Sequence, residues 1–209
     1  VSGTQLTLTP VAAGSSTVKV TADDGRGGQG SDIFAVRVNR VPQTPGSLAD
    51  QLLTIGSGAA KIDVTSAFSD DDGDVLTYKA AAADPSIAAV SVSNGEITVD
   101  PLTAGTTTIT VTANDGYDGE ASKTFDVTVN RAPIVDQAVS DQLITLGAGD
   151  VTLDLSQAFR DEDGDLLTLT ASSLSEDRVS VSLNAASKEL SLRPIAGGAA
   201  SIRIQAEDG

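Results

Sequence analysis

The chain of 209 residues contains no cysteine, no histidine and no tryptophan. Without cysteine it forms neither disulfides nor thiolate metal sites, and without histidine it lacks the commonest transition-metal ligand and general base. These absences argue against zinc and iron. Aromatic residues make up only 3% of the chain, so an aromatic platform for a sugar ring is not expected either.

Positive charge is scarce as well. Thirteen lysines and arginines face 29 aspartates and glutamates, which leaves a formal net charge of −16. Nucleic acids and anionic membrane surfaces bind basic patches, so we expect neither as a partner. No apolar run approaches the ~18 residues that span a bilayer, and no signal segment opens the chain. We expect a soluble segment of a longer protein.

What the chain does contain is typical of strands. Hydrophobic residues account for 40% of it, mostly as valine, isoleucine, leucine and alanine, with threonine and serine at alternating positions. Such a composition favours a β-sheet protein. The acidic residues are 23 aspartates and only 6 glutamates. Short carboxylates suit turns and tight oxygen cages, so the excess of aspartate points towards metal binding.

An acidic loop occurs twice in the sequence. Residues 68–74 (FSDDDGD) return as residues 159–165 (FRDEDGD), 91 positions later. Carboxylates held this close repel one another by about 1 kcal/mol per pair even in water, so a positive charge is expected among them. We expect no framework of lysine, arginine or histidine beside them. A hard cation held by about six to eight oxygens fits best, and Ca²⁺ is the leading candidate.

Other segments repeat with the same offset. Residues 39–42 match 130–133, and residues 21–25 match 112–116. A period near 91 is too long for a solenoid and suits one small all-β domain per repeat. The sequence therefore predicts a partial repeat over 1–40, a complete repeat over 41–131 and a third repeat over 132–209.

The middle repeat carries seven segments of alternating polarity. They predict strands at 52–55, 61–65, 75–80, 89–93, 96–100, 106–114 and 121–130. Seven strands of this size make a sandwich. The predicted inward residues are Ile62, Val64, Leu76, Tyr78, Val90, Val92, Ile97, Val99, Ile109, Val111, Phe125, Val127 and Val129.

The outer repeats are incomplete. Residues 1–40 hold the last three strands of a repeat, around Leu6 and Leu8, then Val18, then Phe34, and residues 132–209 lack a final strand. An unfinished sandwich exposes an apolar edge. Either the protein continues in both directions, or neighbouring molecules supply the missing strands as in donor-strand pairing. We expect the first, because long arrays are usually studied as pieces.

In a seven-stranded sandwich the loops after the second and sixth strands lie at the same pole. The acidic loop is therefore expected to meet the later Asp-Gly loop and the linker that enters the domain. The candidate ligands of a first cation are Asn39, Asp50, Asp70, Asp72, Asp74 and Asp115. Those of a second are Asn130, Asp141, Asp161, Asp163, Asp165 and Asp208. This topology predicts one cation at each domain boundary.

Simpler interpretations explain less. Ordinary turn chemistry accounts for one aspartate before Gly73 but not for four. An EF-hand requires glycine and glutamate where the chain has Val75 and Ala81. Residues 27–35 match the calcium nonapeptide of repeat-in-toxin proteins, but that motif works in tandem, so one copy indicates chance. A glycosidase would place its carboxylates in a single pocket instead of a repeated loop, so we expect no enzyme.

Five motifs recur in the same order. They are Asn-Arg-x-Pro, Asp-Gln, Phe-x-Asp-x-Asp-Gly-Asp-x-Leu-Thr, Thr-Ala-x-Asp-Gly and Phe-x-Val-x-Val-Asn. In this order the chain resembles bacterial cadherin-like repeats of the dystroglycan type. The resemblance implies tandem Ig-like, cadherin-like Greek-key sandwiches that Ca²⁺ rigidifies. It also implies an extracellular or cell-surface location, in a secreted or surface-attached adhesin, a matrix protein or an extracellular enzyme. It assigns Asp70 and Asp72 to the first loop of the site, Asp115 to the second and Asn39 to the linker.

One departure from the family pattern concerns the linker, which carries Arg40 and Arg131 in place of an aspartate-rich run. Fewer ligands then cross each boundary. The expected partners are calcium ions and neighbouring repeats or identical chains. Two rival functions stay open: a self-assembling filament, sheath or surface-layer subunit completed by strand donation, and a module that binds surface polysaccharide.

Overall fold

The computed structural model describes residues 5–209 and consists almost entirely of β-strands, with one short 3-10 helix over Thr65–Ala67. The chain divides into two compact units. Unit 1 comprises the residues up to 53 together with 58–128, and unit 2 comprises 54–57 together with 129–209. The all-β class expected from the sequence is confirmed.

Strands alternate with short turns along all of the described chain. In order they are β1 (Gly14–Asp23), β2 (Gln29–Val38), β3 (Gln51–Thr54), β4 (Ala60–Asp63), β5 (Thr77–Ala82), β6 (Ala88–Ser93), β7 (Glu96–Pro101), β8 (Gly105–Asn114), β9 (Glu120–Asn130), β10 (Ile134–Val135), β11 (Val151–Asp154), β12 (Phe159–Arg160), β13 (Thr168–Ser173), β14 (Val179–Asn184), β15 (Glu189–Pro194) and β16 (Ile202–Glu207).

The middle repeat forms two β-sheets, one of four strands and one of three. One has the strand order β3-β9-β8-β5 and the other has the order β4-β7-β6. All seven predicted strands of this repeat are present, with ends that differ from the prediction by at most 2 residues. Alternation of apolar and polar side chains was sufficient to locate them, because each strand has one buried and one solvated face.

The core of unit 1 lies between these sheets. Of the predicted inward residues it buries Val64, Ile97, Val99, Ile109, Val111, Phe125 and Val127 almost completely. It also buries Ala67 and Phe68, which the sequence analysis missed. Ala67 lies in the 3-10 helix and Phe68 directly after it. The period of two that identifies the faces of a strand does not apply to such a helix, so the sequence pattern did not indicate their burial. The Phe68 ring packs 5.8 Å from that of Tyr78, centroid to centroid.

The first part of unit 1 is a two-stranded hairpin of β1 and β2. These strands occupy the positions predicted for the last two strands of a repeat. The strand predicted around Leu6 and Leu8 is wrong, because residues 6–11 have no regular secondary structure. A strand needs a neighbour for its ladder of hydrogen bonds. Among the described residues, β1 pairs only with β2.

Like the middle repeat, unit 2 has seven strands, β10 to β16, which are arranged in smaller sheets. Its sheets have the orders β11-β15-β14, β13-β16 and β10-β12. Leu155, Ala158, Leu169, Leu190 and Leu192 form its buried core. The residues at 142–146, which correspond by sequence to β3, form no strand. Strand β3 pairs with β9, and among the described residues no strand of unit 2 is available to pair with residues 142–146 in the same way. A cleft of about 830 Å³ lies here, between residues 139–146 and β16.

Across residues 5–209, no helix has both the length and the apolar character needed to cross a bilayer.

Candidate metal centre

The first acidic loop, residues 70–74, is folded by its own leading aspartate. Asp70 Oδ1 accepts hydrogen bonds from the backbone N–H groups of Asp72 (2.9 Å) and Asp74 (3.2 Å). Gly73 takes a positive φ of 78°, which the tight turn requires. As a result, carboxylate oxygens of the three aspartates lie within 4.8 Å of one another.

The second acidic loop, residues 161–165, adopts the same turn in unit 2. Asp161 Oδ1 accepts from the N–H groups of Asp163 (2.7 Å) and Asp165 (3.2 Å). Its three aspartates also bring carboxylate oxygens within 4.8 Å of one another. The two loops have the same fold because the local hydrogen bonds that shape them depend on the same residues at the same spacing.

Each loop buries one carboxylate oxygen that has no hydrogen-bond donor. These atoms are Asp70 Oδ2 and Asp161 Oδ2, and the amide oxygen Asn39 Oδ1 shares this condition. A buried polar atom without a partner costs free energy, and an ionised one costs more. Oxygen atoms of this kind, clustered with other carboxylates, are the donor set that a hard divalent cation takes. The residues present therefore fit a calcium ion.

Asp115 occupies the loop between β8 and β9 and is only 3% exposed. Its Oδ1 accepts from the N–H groups of Tyr117 (2.8 Å) and Gly119 (3.0 Å), and its Oδ2 accepts from Asn39 Nδ2 (2.7 Å). Burial by itself raises the pKa of this carboxyl, but these hydrogen bonds together outweigh burial and lower the pKa from its ordinary value. Asp115 is therefore ionised at neutral pH.

The linker dipeptide Asn39-Arg40 joins this loop to the first acidic loop. Asn39 donates to Asp115, and the N–H of Arg40 donates to Asp72 Oδ2 at 2.8 Å. Asn39 and Arg40 are neighbours in the chain, with Cα atoms about 3.8 Å apart. The carboxylates of Asp115 and Asp72 are therefore bonded to the same short piece of the linker. Both loops thus bond the linker in unit 1, while Asp115 is not one of the three carboxylates that lie within 4.8 Å of one another.

Unit 2 contains the corresponding linker contacts. Asn130 Nδ2 donates to Asp208 Oδ2 at 2.9 Å, and the N–H of Arg131 donates to Asp163 Oδ2 at 2.8 Å. The dipeptide Asn130-Arg131 therefore joins Asp208 to the second acidic loop, as Asn39-Arg40 joins Asp115 to the first.

Two predicted ligands lie outside these clusters. Asp50 Oδ1 accepts from the N–H of Asp126 at 2.8 Å, in the middle of β9. Asp126 is six residues beyond the start of β9 at Glu120, a distance of about 20 Å along a strand. Asp141 is exposed and belongs to neither three-carboxylate cluster. The structure does not bring either residue to the acidic loops.

Arginines pair with the acidic loops, contrary to the expectation of no basic framework beside them. Arg37 Nη2 lies 2.6 Å from Asp74 Oδ1, and Arg40 Nη1 lies 3.5 Å from Asp72 Oδ1. Arg131 Nη1 lies 3.0 Å from Asp163 Oδ1. The hydrogen bond to Asp74 raises the pKa of Arg37. Strand alternation gave no sign of Arg37, because it looks like any outward residue of β2.

Gly119 is a further residue of the site that sequence reasoning missed. A Cβ atom at this position would stand 2.1 Å from Asp115 Oδ2 and 2.9 Å from Asp115 Cγ. No side chain fits there while the Asp115 carboxylate keeps its place. Glycine is needed here for the close approach of the backbone to that carboxylate.

Replacing Gly119 with alanine is expected to raise the pKa of Asp115. The added methyl displaces the carboxylate from the donors of Gly119 and Asn39, while its burial continues to favour the neutral form. Carbon-detected NMR of the Asp115 carboxyl through a pH titration measures the change. Gly30→Ala is the matched control, because a Cβ there meets nothing within 4 Å. An unchanged Asp115 pKa in G119A contradicts this assignment.

Among known protein families, one matches the middle of the chain. Residues 41–128 match the family described as bacterial Ig domain. The search of curated proteins gave no match.

Solved structures that resemble the chain include a titin fragment, a protocadherin fragment and an enzyme. The I-band fragment I67–I69 from titin has a TM-score of 0.47 at 12% identity, with 93% of this chain and 69% of that chain covered. Human protocadherin-24 EC1-2 has a TM-score of 0.39 at 16% identity, with 80% and 94% covered. An endo-fucoidan hydrolase from glycoside hydrolase family 107 has a TM-score of 0.35 at 22% identity, with 94% of this chain covered.

This chain spans about a third (32%) of the length of that hydrolase. The family match instead covers most of the two-sheet sandwich of the middle repeat, from residue 41 to residue 128 in β9. The match therefore shows that residues 41–128, which form most of the seven-stranded sandwich, are similar to a bacterial Ig domain.

Proposed function

We propose that the two acidic loops bind Ca²⁺ and that the chain is a calcium-rigidified structural or adhesive segment of a bacterial extracellular or cell-surface protein. One observation carries the proposal: each acidic loop buries a carboxylate oxygen that no hydrogen-bond donor satisfies. The equivalent atom, Oδ2 of the leading aspartate, has no hydrogen-bond donor in either loop, although the loops are 91 residues apart. This repetition argues against an accident of packing.

The donor set supports calcium. All the clustered groups offer oxygen, which suits hard cations and does not suit zinc or copper. In unit 1 we assign Asp70, Asp72, Asp74, Asp115 and Asn39 to the ion. In unit 2 the corresponding residues are Asp161, Asp163, Asp165, Asp208 and Asn130. Asp50 and Asp141 are left out of this assignment because of their positions.

A cation at each loop would also hold the linker. The ligand carboxylates Asp72 and Asp115 both bond the dipeptide Asn39-Arg40, and Asp163 and Asp208 both bond Asn130-Arg131. Neutralising the carboxylates with calcium removes their mutual repulsion and so stiffens the chain that enters each sandwich. A segment of this kind serves to hold a longer protein extended or to present an adhesive surface. No catalytic role is proposed for the carboxylates, because they belong to a repeated loop.

Calcium is expected to raise the melting temperature of the protein. A ligand that binds only the folded state stabilises it by RT ln(1 + [Ca²⁺]/Kd), about 2.7 kcal/mol at a hundredfold excess over Kd. Magnesium should reproduce the effect poorly, because the smaller ion gives up its water with reluctance. Thermal unfolding followed by circular dichroism, in chelator, in calcium and in magnesium, tests this. Identical melts in chelator and calcium would refute the proposal.

A further inference from the structure

The two acidic loops differ at their last aspartate. Asp74 in unit 1 is paired with Arg37, whose Nη2 contacts both carboxylate oxygens, and only 13% of the Asp74 side chain is exposed. The corresponding Asp165 in unit 2 is exposed and makes no ion pair among the described residues. The residue that corresponds to Arg37 by sequence is Thr128, which has no charge.

Arg37 is held in this position from two sides. Its guanidinium carbon lies 3.8 Å from the centre of the Tyr117 ring, a cation–π geometry, while its Nη2 reaches Asp74. Its backbone is paired with Ser15 across the β1-β2 hairpin. A side chain fixed by an aromatic face and a carboxylate loses little further entropy when it neutralises that carboxylate. Arg37 is thus a preorganised counter-charge.

In the described part of the chain, the other arginines near the acidic loops do not pair with the last aspartate of either loop. Arg40 in unit 1 and Arg131 in unit 2 each pair with the middle aspartate of their loop, at 3.5 Å and 3.0 Å, and Arg131 also lies 3.8 Å from Glu162. Arg160 pairs with Glu162 and Asp136, neither of which belongs to the three-carboxylate cluster. Arg37 is therefore the arginine that pairs with the last aspartate of an acidic loop, and among the described residues Asp165 of the second loop has no such contact.

A cation in the first loop has to compete with this guanidinium. Both oxygens of Asp74 are taken by Arg37, and the positive charge repels a divalent ion brought into the same cluster. In the second loop Asp165 is available as a ligand from the start. The buried oxygens without donors, Asp70 Oδ2 and Asp161 Oδ2, are present in both loops and do not alter the comparison.

We propose that Arg37 sets the order in which the two sites fill, so that calcium enters the second acidic loop at lower concentration than the first. The inference rests on the proposed calcium function. Replacing Arg37 with threonine, the residue found at position 128, should remove this difference between the last aspartates of the two loops. Threonine is well suited to a strand, so β2 is expected to persist.

An NMR titration with CaCl₂ tests the order on the full chain. The amide signals of Gly73 and Gly164, at the tips of the two loops, report each site separately. In the wild-type protein the midpoint at Gly164 should lie about fivefold below that at Gly73, which corresponds to ~1 kcal/mol, the upper range for an exposed ion pair. In Arg37→Thr the midpoint at Gly73 should fall towards that at Gly164, which stays unchanged.

Arg26→Thr is the matched control, because it removes the same charge from the turn of the same hairpin and should leave both midpoints in place. Equal midpoints in the wild-type protein, or a Gly73 midpoint that R37T does not move, overturn the role of Arg37 while calcium binding stands. The calcium function itself fails if neither signal moves up to about 10 mM calcium, which is ten times the highest Kd expected of weak extracellular sites.

Discussion

Changing Asp70 and Asp161 together to asparagine is expected to abolish the stabilisation by calcium. Asparagine keeps the Oδ1 atom that accepts the two backbone N–H groups, so the turn of each loop persists. It replaces the buried, donor-free Oδ2 with an NH₂ group that repels a cation. The whole calcium-dependent gain, about 2.7 kcal/mol at a hundredfold excess over the wild-type Kd, should disappear.

Melting curves with and without calcium measure this loss. The chain offers a matched control in Asp63 and Asp154, which are exposed, lie one in each unit, and accept the N–H of the residue two positions later through Oδ1. D63N/D154N removes the same two charges and should keep the full response to calcium. A calcium response that survives in D70N/D161N would show that the buried oxygens are not ligands.

Replacing Ile109 with alanine is expected to destabilise unit 1 by about 2–5 kcal/mol. Ile109 is fully buried on β8, between the two sheets of the sandwich. Truncation removes apolar surface from the core and leaves a cavity that the rigid sheets fill only in part. Unit 1 should then unfold at lower urea concentration than the wild-type protein.

Tyrosine fluorescence is the appropriate signal, because the chain has two tyrosines, Tyr78 and Tyr117, and no tryptophan. Both tyrosines belong to unit 1, so urea unfolding followed at their emission reports that unit alone. Thr110→Ala, on the exposed face of the same strand, is the control and should change the free energy of unfolding by less than about 1 kcal/mol. A similar loss in both variants would contradict the assignment of Ile109 to the core.

Much of the sandwich was predictable from the sequence. Strands such as β8 and β9 have one buried and one solvated face, so alternation locates them to within a residue or two. Two of the core residues that were missed, Ala67 and Phe68, lie in or next to a 3-10 helix, where that alternation does not hold. The strand expected near Leu6 failed for another reason: a strand forms only where a partner provides its hydrogen bonds.

The candidate metal centre was predictable in part. The acidic loops were found because their turn depends on contacts two to four residues apart, which a repeated motif specifies directly. Asp50 was misplaced because the start of a strand was taken to lie at the pole of the sandwich. Its carboxylate instead caps the N–H of Asp126 in mid-strand.

The sequence by itself determined the all-β class, the period of 91 residues and the two acidic loops, since alternation and turn chemistry act between residues close in the chain. Only the tertiary structure decided which groups share those loops with the aspartates. Asn39 reaches Asp115 across 76 residues and Arg37 reaches Asp74 across 37. Such pairs depend on how strands and loops pack in space, and local sequence carries no measure of that packing.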